Sequence, residues 1–389
     1  MEWIELGKLG KVTTGNTPSK KKIEYYNENY IELVKPSNFI ENAIVNIESG
    51  EEHLSKEGKS KGKVAEVGDI LVTCIGSIGN VGIASKEVCF NQQINGIKVD
   101  KNKALSKYIA YAILYIKPAL NHVANKAVVP IINKSTFEKI KIPVPPIEIQ
   151  KQIVDVLDEA QKLIDNRKKQ IKLLDNLIES IFYDMFGDPV KNDKGWEVKK
   201  LEEFYYVRTG KTPKRGVAEY WNNPRINWIK TGEILNGVIN SSEEKISRIA
   251  KEELNMYLFS EGDILIAMYG QGNTRGRVAK LNIRSTTNQA CAGLVKKEDS
   301  IINNEYTYNI LLLLYEQLRD LGRGGNQPNL NLGMIREYEI PIPPLPLQNQ
   351  FAEKVQAIEK QKELFKQSLK LLEDNYNSLM QRAFKGELF

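Results

Sequence analysis

The sequence contains two copies of one pattern, and this internal duplication constrains the fold more than any other feature. Five segments recur in the same order at an offset of about 195 residues, a regularity that chance does not produce. The matched segments are Thr14–Pro18 with Thr209–Pro213, Glu24–Asn27 with Glu219–Asn222, Gly68–Val72 with Gly262–Ile266, Asn91–Gln92 with Asn288–Gln289, and Ile142–Pro146 with Ile340–Pro344. The chain is therefore predicted to fold as two similar units joined in tandem.

Each copy begins with a globular part that is predicted to be an α+β domain. Short β-type runs such as Ile70–Thr73 and Ile264–Ala267 are separated by Gly and Asn turns. The stretches Ala104–Leu120 and Glu305–Leu321 have helical character. A proline-rich segment then ends each domain, because proline lacks a backbone donor and restricts the residue before it.

A long helix with a heptad seam is predicted after each proline-rich segment. The seam positions are spaced alternately by four and three residues, which is typical of a coiled coil, and adding 198 to each number gives the seam of the second copy. Only Arg167 and Lys362 interrupt the apolar pattern. The residues predicted to bind a partner helix are Ile153, Leu157, Ile164, Ile171, Leu174 and Ile178 in the first copy, and Phe351, Val355, Ile358, Phe365, Leu369 and Leu372 in the second.

The two helices are predicted to pack against each other in opposite directions. Two copies joined head to tail are related most simply by a pseudo-two-fold axis, which makes their helices antiparallel. A helix of about 39 residues spans roughly 58 Å, enough to hold two domains apart. The predicted division is a domain at 1–146, a central helix at 147–190, a second domain at 191–344 and a C-terminal helix at 345–389.

The order of these motifs resembles the specificity subunits of type I restriction-modification enzymes. Each Pro-Pro segment is followed by a Gln-x-Gln entry, Gln150–Gln152 or Gln348–Gln350, and the helix ends Ser180–Pro189 and Ser378–Leu388 look like the conserved regions of that family. The resemblance covers the whole chain. It implies that each globular domain is a target recognition domain for one half of a split site in double-stranded DNA.

The same resemblance implies a division of labour in which this chain is not an enzyme. The helices would fix the spacer between the half-sites and dock two methyltransferase subunits, with restriction subunits joining the full complex. S-adenosylmethionine, ATP and magnesium would then bind to those partners, so no cofactor, metal or catalytic residue is expected here. Accordingly, we find neither an Asn-Pro-Pro-Tyr-like methylation motif nor a GxxxxGK[ST] phosphate loop.

Composition limits the remaining classes. Apolar residues make up 41% and charged residues 27% of the chain, which favours a folded globular protein over a disordered one. The start lacks a signal-peptide pattern and no run of about 18 apolar residues exists, so we expect a cytoplasmic protein without a membrane span. Cys74, Cys89 and Cys291 form no CxxC pair, and only His53 and His122 could add imidazole, so the sequence predicts no metal site.

The basic charge is concentrated in the globular parts. Residues 147–190 carry six basic and nine acidic residues, and residues 345–389 carry seven and six. Because the whole chain has a net charge of +6, the remainder carries +8. This excess is consistent with a polyanionic partner, although solvated lysines produce similar surpluses.

The candidate DNA contacts occur mostly at equivalent places in the two copies. They lie in the Thr-Gly-x-Thr-Pro turns and the cations after them, at a lysine that follows a short apolar run, and in a glycine-rich loop whose backbone could approach DNA closely. The candidates in the first copy are Thr14, Lys20, Lys21, Lys35, Ser77 and Asn80; those in the second are Lys211, Lys214, Arg215, Lys230, Asn273, Arg275 and Arg277, with Arg323, Asn326 and Gln327 in a stretch found only there.

Some interpretations stay open at the level of sequence. The Asn91–Gln92 and Asn288–Gln289 pairs could read adenine in a bidentate manner, but their recurrence in both copies favours a structural role, since residues that read different bases should differ. The turns and lysines could equally be solvated surface. A single-chain restriction or methylation enzyme and a purely structural coiled-coil scaffold are the rival functions. The first requires an active-site motif that we do not find, and the second leaves the charge of the globular parts unexplained.

Overall fold

A computed structural model describes residues 1–124, 130–270, 272–322 and 329–389, and the chain divides into two compact units. The first unit consists of Met1–Lys168 and Gln367–Phe389, and the second of Lys169–Lys366. Each unit therefore contains one globular domain, part of the helix that follows it, and part of the helix from the other copy. Over the described ranges, no helix combines the length and the apolar character needed to cross a membrane.

The first unit has eleven strands and five helices over its described residues. The strands are β1 (Glu2–Glu5), β2 (Gly10–Thr14), β3 (Ile31–Val34), β4 (Ile44–Ile47), β5 (Glu52–Leu54), β6 (Val64–Ala65), β7 (Ile70–Thr73), β8 (Val81–Ala84), β9 (Val88–Phe90), β10 (Ile94–Val99) and β11 (Lys141–Val144). The helices are α1 (Leu6–Leu9), α2 (Lys56–Lys61), α3 (Ser106–Ala124), α4 (Lys134–Glu138) and α5 (Ile147–Phe186), the last of which continues into the second unit.

The second unit repeats this series over its own described residues. Its strands are β12 (Glu197–Lys200), β13 (Tyr205–Thr209), β14 (Ile226–Ile229), β15 (Val238–Ile239), β16 (Glu244–Ile246), β17 (Ile264–Ala267), β18 (Val278–Leu281), β19 (Ser285–Thr287), β20 (Cys291–Lys296) and β21 (Glu339–Ile342). Its helices are α6 (Leu201–Phe204), α7 (Arg248–Glu253), α8 (Asn304–Leu313), α9 (Tyr315–Asp320), α10 (Leu332–Arg336) and α11 (Leu345–Lys385), which ends in the first unit.

The two units have the same sheet topology. The five-stranded sheet has the order β2-β10-β7-β8-β4 in the first unit and β13-β20-β17-β18-β15 in the second, strand for equivalent strand. A smaller sheet is ordered β5-β3-β9-β6 in the first unit and β16-β14-β19 in the second, where a single bridge between Phe259 and Ser285 replaces the pairing of β6. A two-stranded pair, β1-β11 or β12-β21, completes each domain. The duplication seen in the sequence is thus a duplication of the α+β fold.

Within each unit, the two long helices contribute opposite ends to one core. In the first unit, Ile153 and Leu157 near the start of α5 share a core with Ala383 and Phe384 near the end of α11. In the second unit, Phe186 at the end of α5 packs against Phe351 near the start of α11, with ring centroids 5.3 Å apart. The helices are therefore antiparallel in both units, which confirms the predicted fold class.

The predicted seam is the covered face of both helices. All of its positions, twenty in total, are buried or half-buried, whereas most of the residues between them are exposed. The charged interruption Lys362 lies in the second unit, where its ammonium pairs with Asp175 (2.5 Å) and Glu359 (3.2 Å). A cation in the seam is thus tolerated because two carboxylates of the same unit neutralise it.

Each long helix is fastened to its domain by the first glutamine of its Gln-x-Gln entry. Gln150 is fully buried, accepts a hydrogen bond from the backbone N–H of Leu105 (2.9 Å), and donates through Nε2 to the carbonyl of Pro145 (2.9 Å). Gln348 is equally buried and makes the same two bonds, from the N–H of Asn303 (2.9 Å) and to the carbonyl of Pro343 (2.7 Å). A buried amide needs both partners, so each glutamine fixes the helix start against the preceding proline segment.

Candidate nucleic-acid interface

The Thr-Gly-x-Thr-Pro turns are held against the loop that contains the Asn-Gln pair. A Cβ atom at Gly210 would overlap the carbonyl oxygen of Thr287, so only glycine allows this approach. The hydroxyl of Thr212 donates to the side chain of Gln289, and the hydroxyl of Thr17 donates to Gln92 (2.7 Å) at the equivalent place in the first unit. The recurrence of this bond supports a structural role for the Asn-Gln pairs.

The asparagines of these pairs shape the same loop from inside. Asn91 Oδ1 accepts from the backbone N–H of Gln93 (3.0 Å), and Asn288 Oδ1 accepts from the N–H of Ala290 (3.1 Å). This is the Asx-type turn by which a short amide satisfies its own backbone. Thr14, at the end of β2, is likewise engaged, since its hydroxyl donates to Asn95 Oδ1 (2.7 Å).

In the first unit, two of the predicted lysines share one carboxylate. The ammonium groups of Lys20 and Lys35 each lie 2.7 Å from Oε1 of Glu52, and Lys35 is also 3.7 Å from Glu51. The side chain of Lys35, the inner cation, is half-buried at 24% exposure, and that of Lys20, the outer cation, faces solvent at 63% exposure. We call Lys20, Lys35, Glu51 and Glu52 the first ion cluster.

The second unit has the same arrangement with one change. Lys230 pairs with Glu243 and Glu244, each at 2.9 Å, and the outer position is filled by Arg215. Arg215 Nη1 and Nη2 donate to the two oxygens of Glu244 (2.6 and 2.9 Å), a bidentate pair. We call Arg215, Lys230, Glu243 and Glu244 the second ion cluster.

Two tryptophans support Arg215 in the second ion cluster. The guanidinium lies 4.0 Å from the ring centre of Trp221 and 5.8 Å from that of Trp228. Both rings are fixed, because Trp221 Nε1 donates to the carbonyl of Lys214 (3.1 Å) and Trp228 Nε1 donates to that of Lys211 (3.0 Å). Arg215 is therefore held by a carboxylate on one side and an aromatic face on another.

The electrostatics of the clusters keep their carboxylates ionised. Hydrogen bonds from Arg215 and then Lys230 lower the pKa of Glu244 to about 2, and bonds from Lys20 and Lys35 lower the pKa of Glu52. Each cluster contains two cations and two carboxylates and is neutral overall, and its exposed members are the outer cation together with Glu51 (46% exposed) or Glu243 (67% exposed). Such a surface could hold a phosphate group or the acceptor edge of a base.

Sequence reasoning missed the glutamates of these clusters. A signal was present, because Glu51-Glu52 and Glu243-Glu244 recur at an offset of 192. The offset is smaller than the surrounding 195, because the segment between β3 and β5 is longer than the segment between β14 and β16. A carboxylate repels a polyanion and is therefore not an obvious DNA contact, although one that positions a cation serves such a contact indirectly.

The glycine-rich loop of the first unit is only partly accessible. Ser77 is exposed between Gly76 and Gly79. Asn80 is 7% exposed, and its Oδ1 accepts from the buried ammonium of Lys117 (2.8 Å). Its predicted role as a DNA contact therefore needs correction, because its amide already satisfies a buried cation.

In the glycine-rich loop of the second unit, Asn273 is exposed, although its Oδ1 accepts from Arg319 Nη1 (3.3 Å). Arg277 is half-buried. Arg275 is buried at 7% exposure and already interacts with other residues, so its predicted role is corrected in the same way as that of Asn80.

The remaining predicted contacts fall into two groups. The lysines within or after the turns, Lys21, Lys211 and Lys214, are exposed, and Lys211 Nζ donates to the carbonyl of Leu254 (2.7 Å). Arg323, Asn326 and Gln327 lie outside the described residues. Their assignment to DNA stays a prediction from the sequence.

The described parts of the chain contain no cluster of metal-ligating side chains, and their cysteines are buried. No group of three His, Cys, Asp or Glu side chains there could hold a metal ion. The three cysteines are buried, and burial raises the pKa of Cys74 to about 12 and that of Cys89 to about 11. Thiolate nucleophiles are thus disfavoured at neutral pH.

Comparison with known proteins gives a consistent result. The family described as type I restriction modification DNA specificity domain matches residues 1–175 and 193–374. The chain is 27% identical to the type I restriction enzyme MjaIX specificity subunit of Methanocaldococcus jannaschii, over 98% of this chain and 91% of that one. It is 29% identical to the EcoR124I/EcoR124II specificity subunit of Escherichia coli, over 65% of this chain and 63% of that one.

Solved structures share the fold. The S subunit of a type I restriction-modification system from M. genitalium superimposes with a TM-score of 0.57 at 16% identity, covering 99% of this chain and 96% of that one. A chain from a study of complex assembly and conformational transition of the type I R-M system gives a TM-score of 0.65 at 17% identity, covering 100% and 98%.

Proposed function

Because the chain belongs to the family of type I restriction-modification DNA specificity proteins, we propose that it reads a bipartite DNA target, one half-site with each globular domain, and has no catalytic centre of its own. In this proposal, two methyltransferase subunits bind to this chain. Restriction subunits then join the complex by binding to the methyltransferase subunits. The partners supply S-adenosylmethionine, ATP and magnesium, and all the chemistry.

One observation carries the proposal: two domains with the same five-stranded sheet topology present an equivalent ion cluster at the same place. Lys20 and Arg215 are the exposed cations of these clusters, 63% and 62% exposed. A scaffold protein would have no need for a supported outer cation repeated in both domains. A pair of such sites suits a duplex whose phosphates and base edges recur along its length.

The long helices offer a repeated surface to a partner. Leu173 on α5 and Leu371 on α11 occupy equivalent positions, 198 residues apart, and are 52% and 65% exposed. Leu177 and Leu364 add exposed apolar side chains to the two helices, one on each. Apolar residues repeated on the outer face of both helices suit two copies of one partner, which is what a pair of methyltransferase subunits would be.

The test uses the full chain with and without its methyltransferase subunit. Purified chain alone, mixed with genomic DNA and S-adenosylmethionine, should neither methylate nor cut it. The complex should methylate adenines in one bipartite sequence, mapped by sequencing of the modified DNA. Modification or cleavage by the chain alone would establish the rival single-chain enzyme. A complex that methylates without sequence preference would refute the recognition role.

The docking surface has a separate test. Changing Leu173 and Leu371 to glutamate should prevent assembly with the methyltransferase, measured by size-exclusion chromatography, while the chain still folds and binds DNA. Unchanged assembly would show that the partner binds elsewhere.

A further inference from the structure

The second ion cluster differs from the first in chemistry at its outer position, and this difference points to specificity. The inner cation is lysine in both clusters, whereas the outer cation is Lys20 in the first unit and Arg215 in the second. The aromatic neighbour also changes, from Tyr26, whose hydroxyl donates to the carbonyl of Pro18 (2.6 Å), to Trp221 beneath the guanidinium. Two domains that read different half-sites must differ at exposed positions of this kind.

The geometry of Arg215 leaves one complete donor edge unused. A guanidinium carries five N–H groups in a planar fork. The pair with Glu244 occupies the end formed by Nη1 and Nη2. The adjacent edge, formed by Nε–H and the second N–H of Nη2, has no hydrogen-bond partner among the described residues, and the side chain is 62% exposed. Two parallel donors at this spacing match two acceptors, as in the O6 and N7 atoms of guanine.

The support of Arg215 makes such a contact favourable. A free arginine loses much rotamer freedom when it binds, whereas this one is already fixed by Glu244 and by stacking on Trp221. Lys20 at the equivalent place presents a compact ammonium without a planar fork. The outer cation of the second unit can therefore distinguish base edges in a way that the first cannot.

We propose that Arg215 is a specificity-determining residue that reads a guanine in the half-site of the second domain, with Glu244 and Trp221 as its positioning residues. The inference rests on the proposed function, since it requires that the domain binds DNA. It assigns to Arg215 a base contact rather than a phosphate contact.

Arginine-to-lysine exchange separates these two roles. Arg215→Lys keeps the charge and one bond to Glu244, so a phosphate contact would survive with little change in sequence preference and an unchanged salt dependence of binding. A bidentate base contact would not survive. The complex with the methyltransferase should then lose about 5- to 150-fold in affinity for its own target, and one position of one half-site should accept other bases.

The experiment selects duplexes from a library in which both half-sites are randomised, using the complex of the full chain with its methyltransferase subunits. Wild type, Arg215→Lys and the matched control Arg225→Lys, an exposed arginine of the same domain outside the cluster, are compared. The proposal expects relaxation at a single guanine position with Arg215→Lys only. Lys20→Met should leave that half-site unaltered.

The positioning residues have their own readout. Glu244→Gln should weaken discrimination at the same guanine position, and its effect should be non-additive with Arg215→Lys, which a purely structural role would not produce. Thermal unfolding of each variant shows that the domain is folded.

Each outcome of the selection has one meaning. If wild type selects no sequence, the proposed function fails. If wild type selects a bipartite site but Arg215→Lys selects the same bases, the proposed function stands and the guanine contact is refuted. Equal weakening on all sequences would assign Arg215 to a phosphate and would also refute it.

Discussion

Replacing Gln348 by leucine should loosen the second long helix from its domain. The Gln-x-Gln entry provides an internal control, because Gln348 is fully buried while Gln350, two residues later, is exposed. The same substitution at the two positions changes helix propensity and residue volume equally. The difference between the variants therefore measures the loss of the two hydrogen bonds of Gln348, less the apolar burial that leucine gains at that position.

The magnitude follows from those bonds. Leucine removes the acceptor of the Asn303 N–H and the donor to the Pro343 carbonyl, which lie 2.9 and 2.7 Å from the amide. An unsatisfied buried polar group costs about 1–3 kcal/mol. The carbonyl is buried, whereas the N–H is partly accessible to water, and leucine adds some apolar burial. We expect a net loss of about 2–4 kcal/mol.

Calorimetry on the full chain is the appropriate assay. For a unit of this size, a loss of about 2–4 kcal/mol lowers the unfolding temperature by about 5–15 °C. Gln348→Leu should show this decrease, and Gln350→Leu should unfold within a degree or two of wild type. Equal unfolding temperatures for the two variants would refute the reasoning, because the buried amide would then contribute nothing.

Three further predictions test other features. Cys74 and Cys89 should resist iodoacetamide in native protein at pH 8 and react in denaturant, because burial raises the pKa of both thiols; rapid native labelling, read by mass spectrometry, would contradict this. Glu244, whose folded pKa is lowered to about 2, contributes stability that is present above its unfolded pKa of about 4.5 and is lost as pH falls toward 2. In the Glu244→Gln variant, the free energy of unfolding should therefore depend less on pH between about 4.5 and 2 than in wild type, as followed by circular dichroism. Four residues inserted after Arg167 lengthen the helix by about 6 Å and rotate it by about 40°, so the preferred spacer between half-sites should change; an identical methylation map would exclude a ruler role.

The sequence predicts those features whose apolar residues recur at the spacing of a strand or a helix. Ile70–Thr73 and Ile264–Ala267 are strands β7 and β17, as a short run of apolar and β-branched residues predicts for a strand that is buried at four consecutive positions. The helix seam is predictable because apolar residues spaced alternately by four and three lie on one face only in a helix. By contrast, the stretch 305–321 was predicted as one helical segment, yet it divides into α8 and α9 at Leu314, whose φ of −89° and ψ of 16° are not helical. That break occurs at a buried leucine with no Gly or Pro to mark it.

The candidate site was harder to predict because its partners are distant in the chain. Lys35 and Lys230 are predicted from the sequence to be available to phosphate, but each is paired with two glutamates at the start of the neighbouring strand of the smaller sheet, β5 or β16. A single sequence does not show which exposed charges meet. The outer cations, Lys20 and Arg215, were in the predicted set, but the support that distinguishes them depends on side-chain positions.

The duplication itself separates scaffold from reading surface. Several residues that both units share make the same internal bond in each unit: Tyr108 and Tyr306 each donate to a proline carbonyl in the core, as Gln150 and Gln348 do at the helix starts. Such bonds are satisfied inside the protein and leave nothing for DNA. The inner lysines of the ion clusters obey the same rule, since each is neutralised by two carboxylates. Discrimination between two half-sites must come from exposed positions where the copies differ, and within the ion clusters the outer cation is the position that meets both conditions.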